Sequence, residues 1–187
     1  MIYSNLINII LIILAIVAFW LILTYNWLVR LKYRVKESWA DIDVQLKRRY
    51  DLIPNLIETV KGYAAHEKET FESVSNARAR AMGAQSVHEK EIADNMVTSA
   101  LKSILAIAEA YPQLRAVESF VKFQDELSDT ENKIQAARRF YNGNVMELNT
   151  KIETFPTNLI VKIFDFQKQE FFQLENEEAK ESVKVSF

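Results

Sequence analysis

The two histidines are the first residues to consider for chemistry, because imidazoles bind metals and transfer protons near neutral pH. Each begins the same tetrapeptide, His66-Glu67-Lys68-Glu69 and His88-Glu89-Lys90-Glu91. A helical zinc protease needs a second histidine four residues after the first, and those positions hold Thr70 and Ile92. A di-iron bundle needs Glu three residues before each His, and neither histidine has it. Neither of these two metal-binding motifs is therefore present in the sequence.

Other reactive motifs are also missing. The chain has no cysteine, which excludes thiolate nucleophiles, thiolate metal sites and disulfides. It has no phosphate-binding glycine loop and no nucleophile elbow, and its carboxylates mostly stand beside Lys or Arg, as on solvated helix faces. The net charge is −2, and the one basic stretch follows the apolar N-terminus. We therefore expect no enzymatic activity, no cofactor and no nucleic-acid partner.

Four polar residues interrupt apolar stripes of predicted helices. Glu131 and Arg138 are seven residues apart, so they share one helix face, which Tyr141 continues, and Arg49 occupies a similar position in an earlier helix. A buried charge is costly unless it is paired, so we predict that Glu131 contacts an arginine and that Glu131→Ala costs about 3–5 kcal/mol. The layer could fix helix register, or it could be a binding or assembly site.

The polar residues described above all follow a long apolar segment at the N-terminus. From Met1 to Val29 no side chain is charged, and Leu6–Leu23 is almost wholly aliphatic. About 20 helical residues cross a bilayer core, so residues 1–29 are predicted to be a transmembrane anchor. A cleaved signal peptide would have a basic start, a shorter apolar run and a small-residue cleavage site, and these features are missing.

The residues that flank this anchor predict its orientation. Tyr25 and Trp27 stand where the interfacial aromatic belt should be. Lys and Arg favour the cytoplasmic face, so the N-terminus should be outside and the body cytoplasmic. This prediction rests on the basic residues after the anchor, which are Arg30, Lys32, Arg34 and Lys36.

The body, residues 30–175, reads as a series of helices. The first continues from the anchor, with Pro54 expected to kink it, and its apolar stripe is Leu28, Leu31, Val35, Ile42, Leu46, Ile53, Leu56, Val60 and Tyr63. The first turn signal is at residues 82–86, where Ser86 and Glu89 have capping-box spacing. A second helix should end near Pro112, with an inward face made by Ile92, Met96, Leu101, Leu105 and Ala108.

A third helix has a heptad pattern from Val117 to Phe155, and Pro156 should end it. A fourth stretch runs from Asn158 to about Leu174, before a charged tail at 176–187. The predicted fold is therefore all-α, with one transmembrane helix continuous with a long-helix, antiparallel four-helix bundle. If Pro112 only kinks the chain, the alternative is a two-helix hairpin with its C-terminal segment near the membrane.

The fourth stretch is rich in apolar residues and has two interpretations. Packing in the core is one, and contact with the membrane surface or with another subunit is the other. The residues concerned are Ile160, Val161, Ile163, Phe164, Phe166, Phe171 and Phe172.

Taken together, these segments resemble the LemA family. The resemblance covers nearly the whole chain and includes Tyr25-Asn26-Trp27-Leu28-Val29, Trp39-Ala40-Asp41-Ile42-Asp43-Val44-Gln45-Leu46-Lys47-Arg48-Arg49, Asp51-Leu52-Ile53-Pro54-Asn55-Leu56, Thr59-Val60-Lys61-Gly62-Tyr63, Glu109-Ala110-Tyr111-Pro112, Thr130-Glu131-Asn132-Lys133-Ile134, Ala137-Arg138, Tyr141-Asn142, Asn149 and Phe155-Pro156. One departure is the Phe-Gly-Phe usual near the end, which here reads Phe164-Asp165-Phe166.

The resemblance implies a bacterial inner-membrane protein with a short outer N-terminus and a cytoplasmic helical bundle. The family has no established catalytic activity or cofactor, includes magnetosome-membrane proteins, and has genes that often neighbour those of membrane metalloproteases. Its motif residues carry over as candidates for structure or assembly. Besides the polar residues named above, they are Asp43, Gln45, Arg48, Asp51, Pro54, Asn55, Asn132 and Asn142.

Our leading hypothesis is a non-enzymatic scaffold that forms homo-oligomers in the bilayer and organises or remodels the membrane. The alternative is an adaptor or regulator of another membrane protein, such as a membrane metalloprotease or an envelope-stress component.

Overall fold

A computed structural model of the chain describes residues 2–173, so the predicted charged tail at 176–187 lies outside the described residues. Within 2–173 every regular element is a helix, which confirms the all-α prediction. The six helices of this range are α1 (Ile2–Lys61), α2 (Lys68–Gly83), α3 (Val87–Ala110), α4 (Pro112–Arg115), α5 (Glu118–Glu153) and α6 (Thr157–Phe164). The antiparallel four-helix arrangement stays a prediction.

Helix α1 is uninterrupted from the apolar N-terminus into the body, as predicted, and it contains Pro54. Its apolar stripe is buried from Leu28 to Val60. Tyr63, the last predicted member of the stripe, is exposed because the helix ends two residues before it, at Lys61.

The first turn is at residues 62–67, earlier than residues 82–86, where the sequence has its first turn signal. Backbone groups close this turn: the amides of Tyr63 and Ala64 both donate to the Val60 carbonyl, at 3.0 and 2.9 Å. Helix α2 then begins without a side-chain cap. A turn made by main-chain bonds, with only Gly62 to mark it, leaves little signal in the sequence.

The turn between α2 and α3 is at the predicted place. Ser86 caps α3, its side chain accepts from the Glu89 amide, and the Glu89 carboxylate accepts from the Ser86 amide. Helix α3 ends at Ala110 and the one-turn helix α4 begins at Pro112, so Pro112 does more than kink a continuous helix.

The inward face of α3 differs from the predicted one. Ile92 is exposed, and Met96 and Leu105 are only half-buried. The buried residues start instead with Glu91 and Asp94 and continue through Val97, Leu101, Ile104 and Ala108. The prediction placed apolar residues inward throughout, whereas two acidic residues occupy the first turns of the buried face.

Helix α6 is shorter than the predicted fourth helix, because it ends at Phe164. Asp165 adopts a left-handed conformation with φ 52° and ψ 48°, and the Phe166 amide donates to the Val161 carbonyl at 3.2 Å. A left-handed residue followed by this bond is a common helix terminus. The chain therefore makes with aspartate the backbone turn for which glycine is the usual residue.

The chain divides into two compact units. Unit 1 comprises the described residues up to Ala40 together with Arg139–Phe171. Unit 2 comprises Asp41–Arg138 and the chain from Phe172 onward, of which the structure describes Phe172 and Gln173. Buried residues of unit 1 come from α1, α5 and α6, and those of unit 2 come from α1 to α5, Ala64 and Phe172.

Candidate functional site

The apolar start of α1 is a candidate membrane span. An 18-residue window in this helix has a mean hydropathy of 3.1, and none of it is buried within the protein. Every side chain from Tyr3 to Phe19 is exposed. An apolar surface of this extent is unfavourable in water and matches the hydrocarbon core of a bilayer.

Aromatic residues follow the span within unit 1. The Tyr25 ring lies 4.7 Å from the ring of Phe164 and 5.9 Å from that of Phe166, measured between centroids. The Lys151 ammonium lies 4.5 Å from the centroid of the Trp27 ring, which is a cation–π contact. The two aromatic residues predicted for the membrane interface therefore contact residues that follow them by more than 120 positions.

The four cations predicted at the interface are all exposed on α1. Arg34 forms an ion pair with Glu147 on α5, with 3.3 Å between Nη1 and Oε2. The others are Arg30, Lys32 and Lys36.

Unit 2 contains a buried charge cluster, which we define as Arg49, Asp94, Glu131 and Arg138. Helix α1 supplies the first residue, α3 the second and α5 the last two. The side chains of Arg49, Asp94 and Arg138 are only 4, 2 and 8% exposed, whereas that of Glu131 is 38% exposed. The cluster therefore has a buried interior and one partly solvated member.

Arg49 binds both carboxylates of the cluster. Its Nη1 lies 3.3 Å from Oδ1 of Asp94 and 3.1 Å from Oε2 of Glu131. Its Nη2 donates to Oγ1 of Thr98 at 2.9 Å. Glu131 thus contacts an arginine, and the guanidinium connects α1 to α3 and α5.

Asp94 is the centre of the cluster because it also binds the second arginine. Its Oδ2 accepts a hydrogen bond from Nη2 of Arg138, and the Arg138 guanidinium lies 4.6 Å from the centroid of the Phe172 ring. The Tyr50 hydroxyl donates to Oδ1 of Asp94 at 3.5 Å. Burial, with the adjacent Asp94 charge, raises the pKa of Tyr50, so its phenol stays protonated and remains a donor.

The cluster is balanced in charge, with two arginines and two carboxylates. Arginine keeps its proton at any physiological pH, and each buried carboxylate oxygen faces a donor. Such an arrangement offsets part of the desolvation of its members, while the Nε atoms of Arg49 and Arg138 are buried without a hydrogen-bond partner among the described residues. Its ion pairs join residues of three helices. Its geometry suits a structural role in unit 2.

The buried residue Glu91 lies one turn before Asp94 on α3 and holds a different segment. Its Oε2 accepts a hydrogen bond from the Gln173 amide at 3.4 Å. Together with the Arg138–Phe172 contact, this bond attaches residues 172 and 173 to unit 2.

Motif residues on α1 form ion pairs around the cluster. Arg48 lies 2.6 Å from Glu126 and 3.3 Å from Asp129, measured between side-chain nitrogen and oxygen atoms. Asp43 accepts a hydrogen bond from Lys90 on α3. Asp51 lies 3.9 Å from Arg78 on α2.

The remaining motif residues of α1 have fewer polar contacts. Pro54 and Asn55 are exposed, and the Asn55 carbonyl accepts from the Thr59 hydroxyl at 2.9 Å. Gln45 is half-buried, and its Oε1 has no hydrogen-bond partner within the described range. On α5, Asn132 is exposed and Asn142 is half-buried.

Tyr141, which the sequence placed with the polar layer, belongs to unit 1. Its hydroxyl donates to the Glu170 carbonyl at 2.8 Å, and its ring lies 5.4 Å from that of Trp39. The prediction grouped it with Glu131 and Arg138 by heptad position, but its partners are an aromatic ring and a backbone carbonyl.

The Asn149 side chain forms two hydrogen bonds with the segment after α6. Its Nδ2 donates to the Gln169 carbonyl and its Oδ1 accepts from the Gln169 amide, both at 2.9 Å. An asparagine side chain offers both a donor and an acceptor, so it satisfies both backbone groups of Gln169. Asn149 and Tyr141 therefore hold residues 169–170 against α5.

Asp94, Tyr50 and Thr98 contribute to this site but are not predicted from the sequence. The available signal was an alternative α3 stripe with steps of three and four that passes through Glu91, Asp94, Val97, Leu101 and Ile104. Because this stripe begins with two acidic residues, the stripe through Ile92 is the more apolar of the two. The arginines of α1 and α5 bind Asp94 and the Gln173 amide binds Glu91, so the acidic face is the buried one.

Both histidines are exposed. Among residues 2–173, no group of three or more His, Cys, Asp or Glu side chains is placed to hold a metal ion.

Known proteins resemble this chain over most of its length. The sequence pattern of the LemA family matches residues 38–187. The chain is 25% identical over 189 residues to magnetosome protein MamQ 2 of Paramagnetospirillum magneticum, covering 86% of this chain and 70% of the relative. It is 26% identical over 149 residues to protein LemA of Metamycoplasma hominis, covering 79% and 68%. Because the family pattern extends over most of the chain, the protein belongs to the LemA family.

Proposed function

We propose that this LemA-family chain is a non-enzymatic, single-pass membrane scaffold whose copies associate in the bilayer and organise or remodel it. The observation that carries the proposal is α1, a single helix in which an unburied apolar stretch is followed by residues buried in the body. An apolar helix start of this length is stable in lipid, so the body would be held at the membrane surface.

The proposed location is the bacterial inner membrane, with the N-terminus outside and the body, an antiparallel helical bundle, in the cytoplasm. The four exposed cations after the span support this orientation, because Lys and Arg are retained on the cytoplasmic side. Fusion of a fluorescent protein and of alkaline phosphatase to the C-terminus tests it. Fluorescence without phosphatase activity is expected, and the opposite pattern would reverse the orientation.

The charge cluster supports a structural body. Arg49, Asp94 and Arg138 are almost entirely buried and bind one another, so they are not available to an external substrate. Fixing α1, α3 and α5 in one arrangement is what a scaffold requires of its interior.

For association we propose a face of α5 in unit 1. Phe140, Gly143 and Met146 are spaced by three residues and are all exposed. Apolar side chains on either side of a glycine let a second helix approach closely, and Gly143 has open space where a side chain would extend. The named occupant of this face is the same face of a second copy.

Crosslinking in membranes tests the association. The chain has no cysteine, so Gly143→Cys introduces a single thiol on the proposed face, and Val121→Cys puts a matched thiol on an exposed position of α5 in unit 2. We expect a short bis-maleimide to link copies through residue 143 and not through residue 121. Vesicles that carry the protein should also change shape in electron micrographs. A strict monomer in detergents and on vesicles would reject the scaffold.

One observation favours the adaptor alternative. An open groove of about 620 Å³ lies between α2 and α3, and its lining includes Arg80, Ile92 and Met96. Ile92 is available there because the acidic face of α3 is the buried one. A membrane protein that co-purifies with the wild type and is lost in Ile92→Asp, without self-association of the chain, would support an adaptor instead.

A further inference from the structure

We propose that α6 and the Phe155-Pro156 turn before it form a membrane-surface element, whose apolar face enters the lipid–water boundary beside the transmembrane span. The inference goes beyond the scaffold proposal and rests only on its membrane anchor. The occupant of the face is the phospholipid bilayer that holds α1.

The first observation is an apolar surface that the protein leaves uncovered. Phe155, Leu159, Ile163 and Phe164 are 52 to 74% exposed, although Ile160 and Val161 on the same short helix are buried. Lys162 is the single charged residue in Thr157–Phe164. Helix α6 is therefore apolar on both its packed face and its outer face, which is unusual for a helix surrounded by water.

The second observation places this surface near the end of the span. The Phe164 and Phe166 rings contact the Tyr25 ring, and Tyr25 follows the last aliphatic residues of the apolar run. Trp27 follows Tyr25 by two residues on α1, and its ring contacts the Lys151 ammonium of α5. Tyr, Trp and Lys concentrate at the headgroup level of membranes, so α6 lies at the level where the bilayer would end.

Helix α6 is short, and its connection to the transmembrane span explains how it could enter lipid. Eight residues with a few large apolar side chains bind a membrane weakly by themselves. Helix α6 is in the same chain as a transmembrane span and contacts it through Tyr25, so the bilayer is present at a high effective concentration. Even a weak intrinsic affinity of the outer face for lipid would then be enough for insertion.

Spin labelling of the full-length chain in vesicles of phosphatidylethanolamine and phosphatidylglycerol tests the inference. Because the chain has no cysteine, Leu159→Cys and Ile163→Cys each give one labelling site on an exposed side chain. Val121→Cys is the matched exposed apolar control in unit 2, and Ile16→Cys is the reference within the span. Relaxation by oxygen and by a water-soluble nickel complex is compared at each site.

We expect oxygen to be the stronger relaxant at residues 159 and 163, as at residue 16, and the nickel complex to be stronger at residue 121. Nickel dominance at 159 and 163 would overturn the proposal, because the face would be in water. Low accessibility to both relaxants would also overturn it and would indicate a second protein copy on the face. If oxygen were the stronger relaxant at residue 121 as well, lipid contact would not be particular to α6. That result would also overturn the proposal.

The reference site separates this inference from the proposed function. Nickel dominance at residue 16 would reject the anchor itself and both proposals with it. Lipid contact at residue 16 combined with water contact at residue 163 would reject only the surface role of α6. The two labelled positions on α6 are independent variants, so failure of one to fold still leaves the other to decide.

Discussion

Arg49 and Asp94 form a buried ion pair, with 3.3 Å between Nη1 and Oδ1, although 45 residues separate them along the chain. The pair joins α1 to α3, and the second oxygen of Asp94 binds Arg138 from α5. One carboxylate therefore pairs with two buried guanidinium groups, and Glu131, which also binds Arg49, supplies the second negative charge.

Removing this carboxylate should be the most damaging single change in the cluster. We expect Asp94→Ala to lower the free energy of unfolding by about 3–5 kcal/mol, because it leaves two arginines buried without their shared partner. Thermal unfolding of the full-length protein in detergent, followed by circular dichroism, measures it. The exposed Asp125→Ala should change stability by no more than about 0.5 kcal/mol, and equal effects at both positions would contradict the assignment.

Glu131→Ala should cost less than the sequence suggested. The expected 3–5 kcal/mol applied to a buried carboxylate, but the Glu131 side chain is 38% exposed and Arg49 keeps Asp94 and Thr98 as partners. We now expect a loss of about 1 kcal/mol, in the range of solvated ion pairs. Unfolding measured at low and high salt checks this, because the difference between variant and wild type should shrink as salt screens the pair.

Asp165→Gly should stabilise the end of α6. The left-handed backbone at φ 52° costs an ordinary residue roughly 1–2 kcal/mol and costs glycine nothing comparable. Asp165 recovers part of this through the bond that its Oδ1 accepts from Gln167 at 2.5 Å, so a gain of about 0.5–1 kcal/mol is expected. Asp165→Val is the opposing variant, which should lower the melting temperature. A stabilising valine would contradict the backbone argument.

Asn149→Ala should release the segment after α6 from α5. It removes two hydrogen bonds to Gln169, each worth about 1 kcal/mol, and leaves a backbone amide and carbonyl without partners. Hydrogen exchange at the Gln169 amide should become faster, while α3 amides keep their protection. Thr150→Ala, at the neighbouring exposed position, is the control. Unchanged exchange at Gln169 would show that other contacts hold the segment.

The capping box of α3 should make stability depend on pH. Amides of Gln85 and Ser86 donate to the Glu89 carboxylate at 2.9 and 3.1 Å, which lowers its pKa from the ordinary 4.5. A carboxyl whose pKa is lowered by folding stabilises the protein above its unfolded pKa, and the effect is lost as pH falls through the folded value.

Glu89→Gln retains an acceptor but cannot titrate. Between about pH 5 and pH 3 the melting temperature of the wild type should therefore fall by more than that of the variant. If the melting temperatures of the two proteins fall equally with pH over this range, protonation of Glu89 is not linked to unfolding.

Much of the fold followed from local sequence patterns. The uncharged run up to Val29, the steps of three and four from Leu28 to Val60, and the Ser86–Glu89 spacing each specify a helix or its start through interactions of neighbouring residues. These patterns act over one or two turns, so the sequence contains them completely.

Only the tertiary structure decided which face of α3 is buried and where the polar residues meet. Glu91 and Asp94 are inward because Arg49, Arg138 and the Gln173 amide neutralise or bind them. The turn at residues 62–67 and the left-handed Asp165 are closed by hydrogen bonds between backbone groups. The residue types at these positions do not predict those bonds. The energy of a buried charge depends on partners that are distant in sequence, and periodicity within one helix contains no information about them.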